Sequence, residues 1–261
     1  MLKEKGQVKW VGYIFPIPLV SKLNCSLTFM ILFYTTDIEG DIAQLDTEQA
    51  RHCVQVLRKK EGDPISFVDG QGGFHQGIIQ ETGKKKCVIQ IKQSEYNFQK
   101  RPFHLHIAIA PTKNTNRLEW FLEKATEIGI DEITPIICHH SERRKIRTDR
   151  LHKILIAAMK QSLKAYLPKL NEPLSFKQFI QLPRTTALKY IAQGAENMAL
   201  KDNYVPQKDV LLLIGPEGDF SKQELTLAFA NGFHGINLGK SRLRTETAGI
   251  VACHTLNLLN E

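Results

Sequence analysis

The chain has little cysteine, and none of it is spaced for chemistry. Its five thiols fall at Cys25, Cys53, Cys87, Cys138 and Cys253, with no CxxC pair. An odd, scattered set is neither a disulfide framework nor a zinc site, and it suits a reducing cytoplasm. Long hydrophobic runs are also missing. The nearest candidate, residues 11–20, is broken by Pro16 and Pro18 and is too short to span a bilayer, so no membrane partner is expected. It follows basic residues as a signal peptide would, yet no small-residue cleavage site follows it. There is no complete GxxxxGK[ST], no GxGxxG and no GxSxG. Those absences weigh against a P-loop, a dinucleotide fold and a serine hydrolase. Acidic charge is in deficit as well, with 27 Asp and Glu against 35 Lys and Arg, for a formal charge of +8. That balance favours a polyanionic partner, nucleic acid first. The pair His139-His140 has no Cys or Asp at ligand spacing, so no metal is expected.

What is present is concentrated in residues 209–261. Two nearly matching halves, DVLLLIG-PEGDF-SKQELTLAFANG and HGINLG-KSRLRTE-TAGIVACHTLNLL, each give an apolar run, a Gly-bearing charged loop and an amphipathic helix. Val210–Ile214 is continuously apolar, as a strand buried on both faces of a parallel sheet must be. Ser221 with Glu224 is a capping box. Leu225, Ala228 and Phe229 then share a helical face, and Gly232 marks the stop. In the second half, Thr245 or Thr247 is expected to cap a helix with Ala248, Val251, Ala252, Thr255 and Leu259 inside. Two such strand ends side by side would form a crevice for a small ligand, with Gly215, Gly218 and Gly239 admitting close backbone approach. Ordinary βα turns also carry Gly and Ser, so one loop alone decides little.

The rest of the chain divides at a polar stretch, residues 96–102, read as a linker. Before it, Thr47 is expected to cap a helix with Ala50, Val54 and Leu57 inside. The runs PISFVDG, GFHQGIIQE and CVIQIKQ follow, separated by Gly-bearing turns. Short strands at this spacing predict a small β-barrel over residues 30–100. After the linker, strands and helices alternate. HLHIAIA, Asp131–Cys138 and Ala187–Ala192 read as strands. Leu118, Phe121, Leu122, Ala125 and Ile128 form a helical stripe ending at Gly129, and a second long helix starts at Thr148 or Asp149. This predicts an α/β domain over 101–261 with a mainly parallel sheet. Residues 143–153 carry six Lys or Arg against one Asp, a candidate RNA face. A solvated helix face would read the same way.

IGPEGDFS (214–221) and LGKSRLRTETA (238–248) resemble the signature loops of the ribosomal RNA small-subunit methyltransferase E family. That family belongs to the SPOUT superfamily of S-adenosylmethionine-dependent RNA methyltransferases. The departures are Asp219, where many members have Gly, and Arg242, where an aliphatic residue is common. The resemblance covers residues 30–258. It implies a deep trefoil knot in the C-terminal region, a PUA-like RNA-binding barrel at the N-terminus and a homodimer. It makes Met30 the natural start, with 1–29 an upstream extension. It implies S-adenosylmethionine contacts from Ile214, Gly215, Gly218, Leu238, Gly239, Leu243, Arg244 and Thr245. It further implies methylation of N3 of one uridine in small-subunit ribosomal RNA, for which Arg58, Lys113, Arg143, Arg144 and Lys145 are the candidate RNA contacts. Arg244 is the candidate for stabilising the uracil anion, and Glu217 for general base or for orienting Arg244. Alternatively, Glu217, Arg244 and Glu246 form a structural ion pair. The rivals are a SPOUT enzyme acting on transfer RNA and a non-catalytic ribosome-assembly factor.

Overall fold

The structure, a computed structural model, describes residues 31–83, 85–183, 185, 188–194 and 198–261. The expected extension at 1–29, and Ala187 at the head of a predicted strand, lie outside the described residues. Among the described residues, no helix is long and apolar enough to cross a membrane.

Strands β1 (Leu32–Tyr34), β2 (Ile38–Glu39), β3 (Ile42–Gln44), β4 (Pro64–Val68), β5 (Phe74–Thr82) and β6 (Cys87–Glu95) form one six-stranded sheet, ordered β1-β4-β5-β6-β3-β2. Alternation in β4, β5 and β6 sends Ile65, Phe67, Ile79 and Ile89 into its core. Register shifts at Gln76/Gly77 and Ile79/Glu81 interrupt the long β5–β6 ladder, where bulges bend a strand. The result is a half-barrel, with β1 and β2 left as the ends of the ladder. Its short helix α1 (Thr47–Arg51) is capped by Asp46, which accepts from Gln49 N, rather than by Thr47. A π-helical turn, His52–Val56, follows directly. Through it the expected stripe still meets the core, with Ala50 buried and Val54 and Leu57 packed against that core, while the wider turn also buries Cys53 and leaves Val56 64% exposed.

The second sheet has eight strands, all paired in parallel. These are β7 (Leu105–Ile109), β8 (Glu132–Ile137), β9 (Lys169–Leu170), β10 (Leu174–Ser175), β11 (Leu188–Ala192), β12 (Met198–Ala199), β13 (Val210–Ile214) and β14 (His234–Asn237). The order is β10-β8-β7-β13-β11-β14-β12, with β9 also on β8. The central strands β7 and β13 are buried along their whole length. The reason is a layer of helices on each face. On one face Ile107, Ile109, Leu212 and Ile214 meet α2 (Thr115–Ile128), α3 (Thr148–Gln161) and α7 (Thr245–Leu258). On the other, Ala108, Leu211 and Leu213 meet α4 (Phe176–Gln181) and α6 (Lys222–Ala230). A short α5 (Leu200–Asn203) lies between β12 and β13 in the chain.

Two sequence expectations shift. On α6, Ala228 is buried but Phe229 is 45% exposed. On α7 the inner face is Thr245, Glu246, Gly249, Ala252, Cys253 and Leu256, not the face through Ala248, Val251 and Thr255. Both helices carry apolar residues on more than one face, so periodicity does not choose among them. On α7, close approach chooses it, because a Cβ on Gly249 would stand 2.6 Å from the buried Phe121 ring.

The expected linker is tied down at both ends. Phe98 stacks on Phe74 at 4.8 Å. Arg101 donates to Gly129 O and Asn257 Oδ1 and pairs with Asp131. The half-barrel is also joined to the α/β lobe by a bridge between Gln71 and Tyr166 and by a shared core of Leu32, Val68, Met159 and Ala165. The four described cysteines are buried and free, and burial holds the Cys138 and Cys253 thiols above the usual range.

Gly249→Ala tests the α2–α7 contact. Helix propensity alone would stabilise by about 1 kcal/mol, while overpacking against Phe121 costs about 1–3 kcal/mol. A net loss of stability in urea unfolding is expected. A midpoint at or above the parent's would mean that the ring gives way freely.

Candidate active site

Every ladder of the second sheet is parallel, so the C-terminal ends of its strands lie along one edge. Three of these ends converge on a cavity of about 340 Å³. The loop after β13 contributes Ile214–Glu217, the loop after β14 contributes Leu238–Leu243, and the end of β11 contributes Ala192, Gln193 and Gly194. The strand order corrects the expectation that β13 and β14 lie side by side, because β11 runs between them. Residues 192–194 therefore sit centrally in the site, although the sequence reading passed over them. The available signal was a Gln-Gly step directly after an apolar strand.

The two signature loops are fastened together. Thr245 Oγ1 donates to Gly215 O at 3.0 Å. Gly239 takes φ +112 and its N–H donates to Asn237 Oδ1 at 3.0 Å, so the turn bends where a side chain would be strained. Behind the first loop, Ser221 and Glu224 make the predicted capping box. Glu224 also accepts from His139 N, and His140 Nδ1 lies 3.0 Å from Asp219 O. The histidine pair thus braces the loop. Among the described residues no group of three or more His, Cys, Asp or Glu is placed to hold a metal.

Of the residues singled out for the cofactor, Ile214, Gly215, Leu238, Gly239, Leu243 and Thr245 line the cavity. Gly218 does not line it. Its Cα faces His140, whose Cβ a side chain there would meet at 3.0 Å. Arg244 is also outside the lining. It is the exposed N-cap residue of α7, between Leu243 and Thr245, which do line the cavity.

Glu217 reaches the cavity wall, and its Oε1 accepts from Lys113 N at 3.0 Å. Among the described residues it makes no ion pair with Arg244. Glu246 faces Arg117 instead, at 3.7 Å, so the expected Glu217–Arg244–Glu246 cluster does not form. Glu246 is 6% exposed, which explains why it needs that partner.

Lys113 connects this cavity to the basic segment. Its Nζ pairs with Glu142 at 2.8 Å, and that neighbour raises its pKa. Its carbonyl accepts from the Arg143 guanidinium at 3.0 and 3.1 Å. Lys113, Arg143, Arg144 and Lys145 line one open depression together with Glu142. Arg150 is held apart by Glu119 at 2.7 Å. Arg58 belongs to the half-barrel, exposed and at φ +56 just past the π turn.

Comparison with known proteins places this arrangement. Residues 99–257 match an RNA methyltransferase domain and residues 45–92 match an RNA methyltransferase PUA domain. The ribosomal RNA small subunit methyltransferase E of Synechocystis is 28% identical over 258 residues, covering 95% of this chain and 84% of the relative. A probable rRNA-methyltransferase from Porphyromonas gingivalis superposes with a TM-score of 0.82 at 42% identity, covering 88% of this chain and 98% of that one. The Neisseria gonorrhoeae ribosomal RNA small subunit methyltransferase E, solved bound to S-adenosyl methionine, gives 0.79 at 26% identity, with 88% and 98% covered. With the loop geometry and both lobes matched, the chain belongs to the ribosomal RNA small-subunit methyltransferase E family.

Proposed function

We propose that this chain methylates N3 of a specific uridine in small-subunit ribosomal RNA, using S-adenosyl-L-methionine, in the cytoplasm and as a homodimer. Residues 30–100 form its RNA-binding lobe and 101–261 its transferring lobe, with the C-terminal region threaded as a trefoil knot. The observation that carries the reading is the three-loop cavity, which opens beside a basic edge.

The residues present fit the cofactor. Ile214, Leu238, Leu243 and Ala248 give apolar wall for an adenine, and Gly215 and Gly239 let backbone groups approach. When bound, S-adenosylmethionine supplies a methyl group on a positively charged sulfur. The protein must then present a nucleophile to it. Uracil N3 is a nucleophile only after losing its proton, so an acceptor and a stabilising charge are both needed. Arg244 is exposed and makes no ion pair among the described residues. At the positive end of α7 it can hold the developing uracil anion or an adjacent phosphate. Glu217 is fixed through one oxygen by Lys113 N–H, which leaves the other to accept the N3 proton. Apolar walls exclude water, which favours a reaction that joins opposite charges. Lys113, Arg143, Arg144 and Lys145 supply phosphate contacts, with Arg58 extending them onto the half-barrel. For the dimer, α2 and α7 pack together, yet leave Trp120 44% and Leu258 55% exposed, as surfaces awaiting a second copy do.

Labelled S-adenosylmethionine and small ribosomal subunits lacking the modification test the proposal directly. Nucleoside mass spectrometry should place the label in 3-methyluridine. Label in another nucleoside overturns the specificity, and labelling of transfer RNA alone overturns the substrate. Arg244→Ala should lower turnover by about 10²- to 10³-fold with the fold intact. Turnover within a few-fold of the parent removes it from the mechanism. Reversing Arg143 and Arg144 to Glu should weaken RNA binding and flatten the plot of log affinity against log salt by about 1–2. An unchanged slope moves the RNA face elsewhere.

A further inference from the structure

A second cavity, of about 310 Å³, lies at the opposite edge of the parallel sheet. It opens where β7, β8 and β13 begin, beside His104, Asp131 and Asp209, and the end of the linker forms one wall. The turn after α3 forms another, through Lys164, Ala165 and Tyr166. It shares no lining residue with the cavity between the signature loops.

Its charges are unevenly satisfied. Asp131 is taken by Arg101 and by Leu105 N. Asp209 Oδ1 accepts from His104 N at 2.8 Å. Arg101 is spent on Asp131, Gly129 O and Asn257, with its guanidinium 4.9 Å from the Phe103 ring centroid. Lys164 is different. It is only partly exposed, and among the described residues its ammonium makes no hydrogen bond or ion pair. Burial, and then the charge of Arg101, push its pKa below the ordinary lysine range. Lys100 adds a second, exposed ammonium on the linker wall. Asp131 offsets the burial of Lys164 only in part, because Arg101 already holds its carboxylate, and a half-desolvated cation so weakly compensated is unfavourable unless a ligand supplies more negative charge. Tyr166 and Pro102 add flat apolar surface to the same walls.

We infer that this cleft is an anion site which takes the phosphate of a nucleotide on Lys164, with Lys100 reinforcing it and Tyr166 flanking the attached sugar or base. The inference does not rest on the methyl-transfer reading, because the site lies at the other edge of the sheet. One chemistry has two sources here, a free mononucleotide or a phosphate of bound RNA.

The test is titration of the full chain, without methyl donor, with inorganic phosphate, uridine 5′-monophosphate and a uridylate tetramer. Lys164→Met is expected to weaken binding of the monophosphate at least tenfold, and Lys164→Arg to restore most of it. A tetramer that binds more tightly than the monophosphate, with the same Lys164 dependence, identifies RNA as the source. Equal binding of the two identifies a free nucleotide. A second readout needs no variant: phosphate should protect Lys164 from an amine-acylating reagent, read by peptide mass spectrometry. Binding that is indifferent to Lys164→Met, or acylation of Lys164 unchanged by phosphate, overturns the inference. Because no methyl donor is present, these outcomes are independent of whether uridine N3 is the target.

Discussion

The complete burial of β13 is the constraint on which the rest depends. All five of its residues are withdrawn from water, with β7 on one side and β11 on the other. Such a strand has no polar face to offer, so helices must cover both sides. Parallel pairing follows from the helices that cross between strands, and it gathers the strand ends on one edge. Each large aliphatic side chain buried this way contributes roughly 1.5–3 kcal/mol. The sheet can therefore support loops that contribute little packing of their own. The cavity is made from those loops, fastened by one hydroxyl, Thr245, on one carbonyl, Gly215.

Much of this was legible in residue order. Val210–Ile214 announced a doubly buried strand, Ser221 and Glu224 a helix start, and Leu118 to Ala125 a helix face, because in each case local chemistry decides the outcome. Asp46 displaced Thr47 as a cap because either residue can accept the same amide, and only the backbone angle at the cap selects between them. The inner face of α7 was not legible, since its apolar residues run around the helix and the choice fell to Gly249 against Phe121. The order of strands was not legible either. Similarity between the two C-terminal halves suggested neighbours, yet β11 is inserted between them, and its end at Ala192–Gly194 joined the site unannounced.

The charged residues show the same division. Their types pointed to a polyanion, but their partners could not be read from spacing. Glu217 holds a backbone amide from 104 residues away, and Glu246 turns to Arg117 rather than to Arg244. Among the described residues the Arg244 guanidinium makes no ion pair, while Arg143 is aimed by the carbonyl of Lys113. The loop at Lys113 thereby acts as a hub, linking the cavity wall to the basic edge through main-chain atoms that no sequence pattern encodes.

The bridge from Gln71 to Tyr166 has a consequence for recognition. Gly72 N donates to Ala165 O at 3.0 Å, and Leu167 N to Gly70 O at 2.9 Å. A connection made of main-chain bonds, with Tyr166 pressed on a glycine that has no room for a side chain, does not act as a hinge. Main-chain bonds and a shared core therefore hold the half-barrel and the α/β lobe in one setting. On the proposed reading, an RNA that touches both lobes meets them at that one setting, and its own fold must bring the target base to the cavity from there.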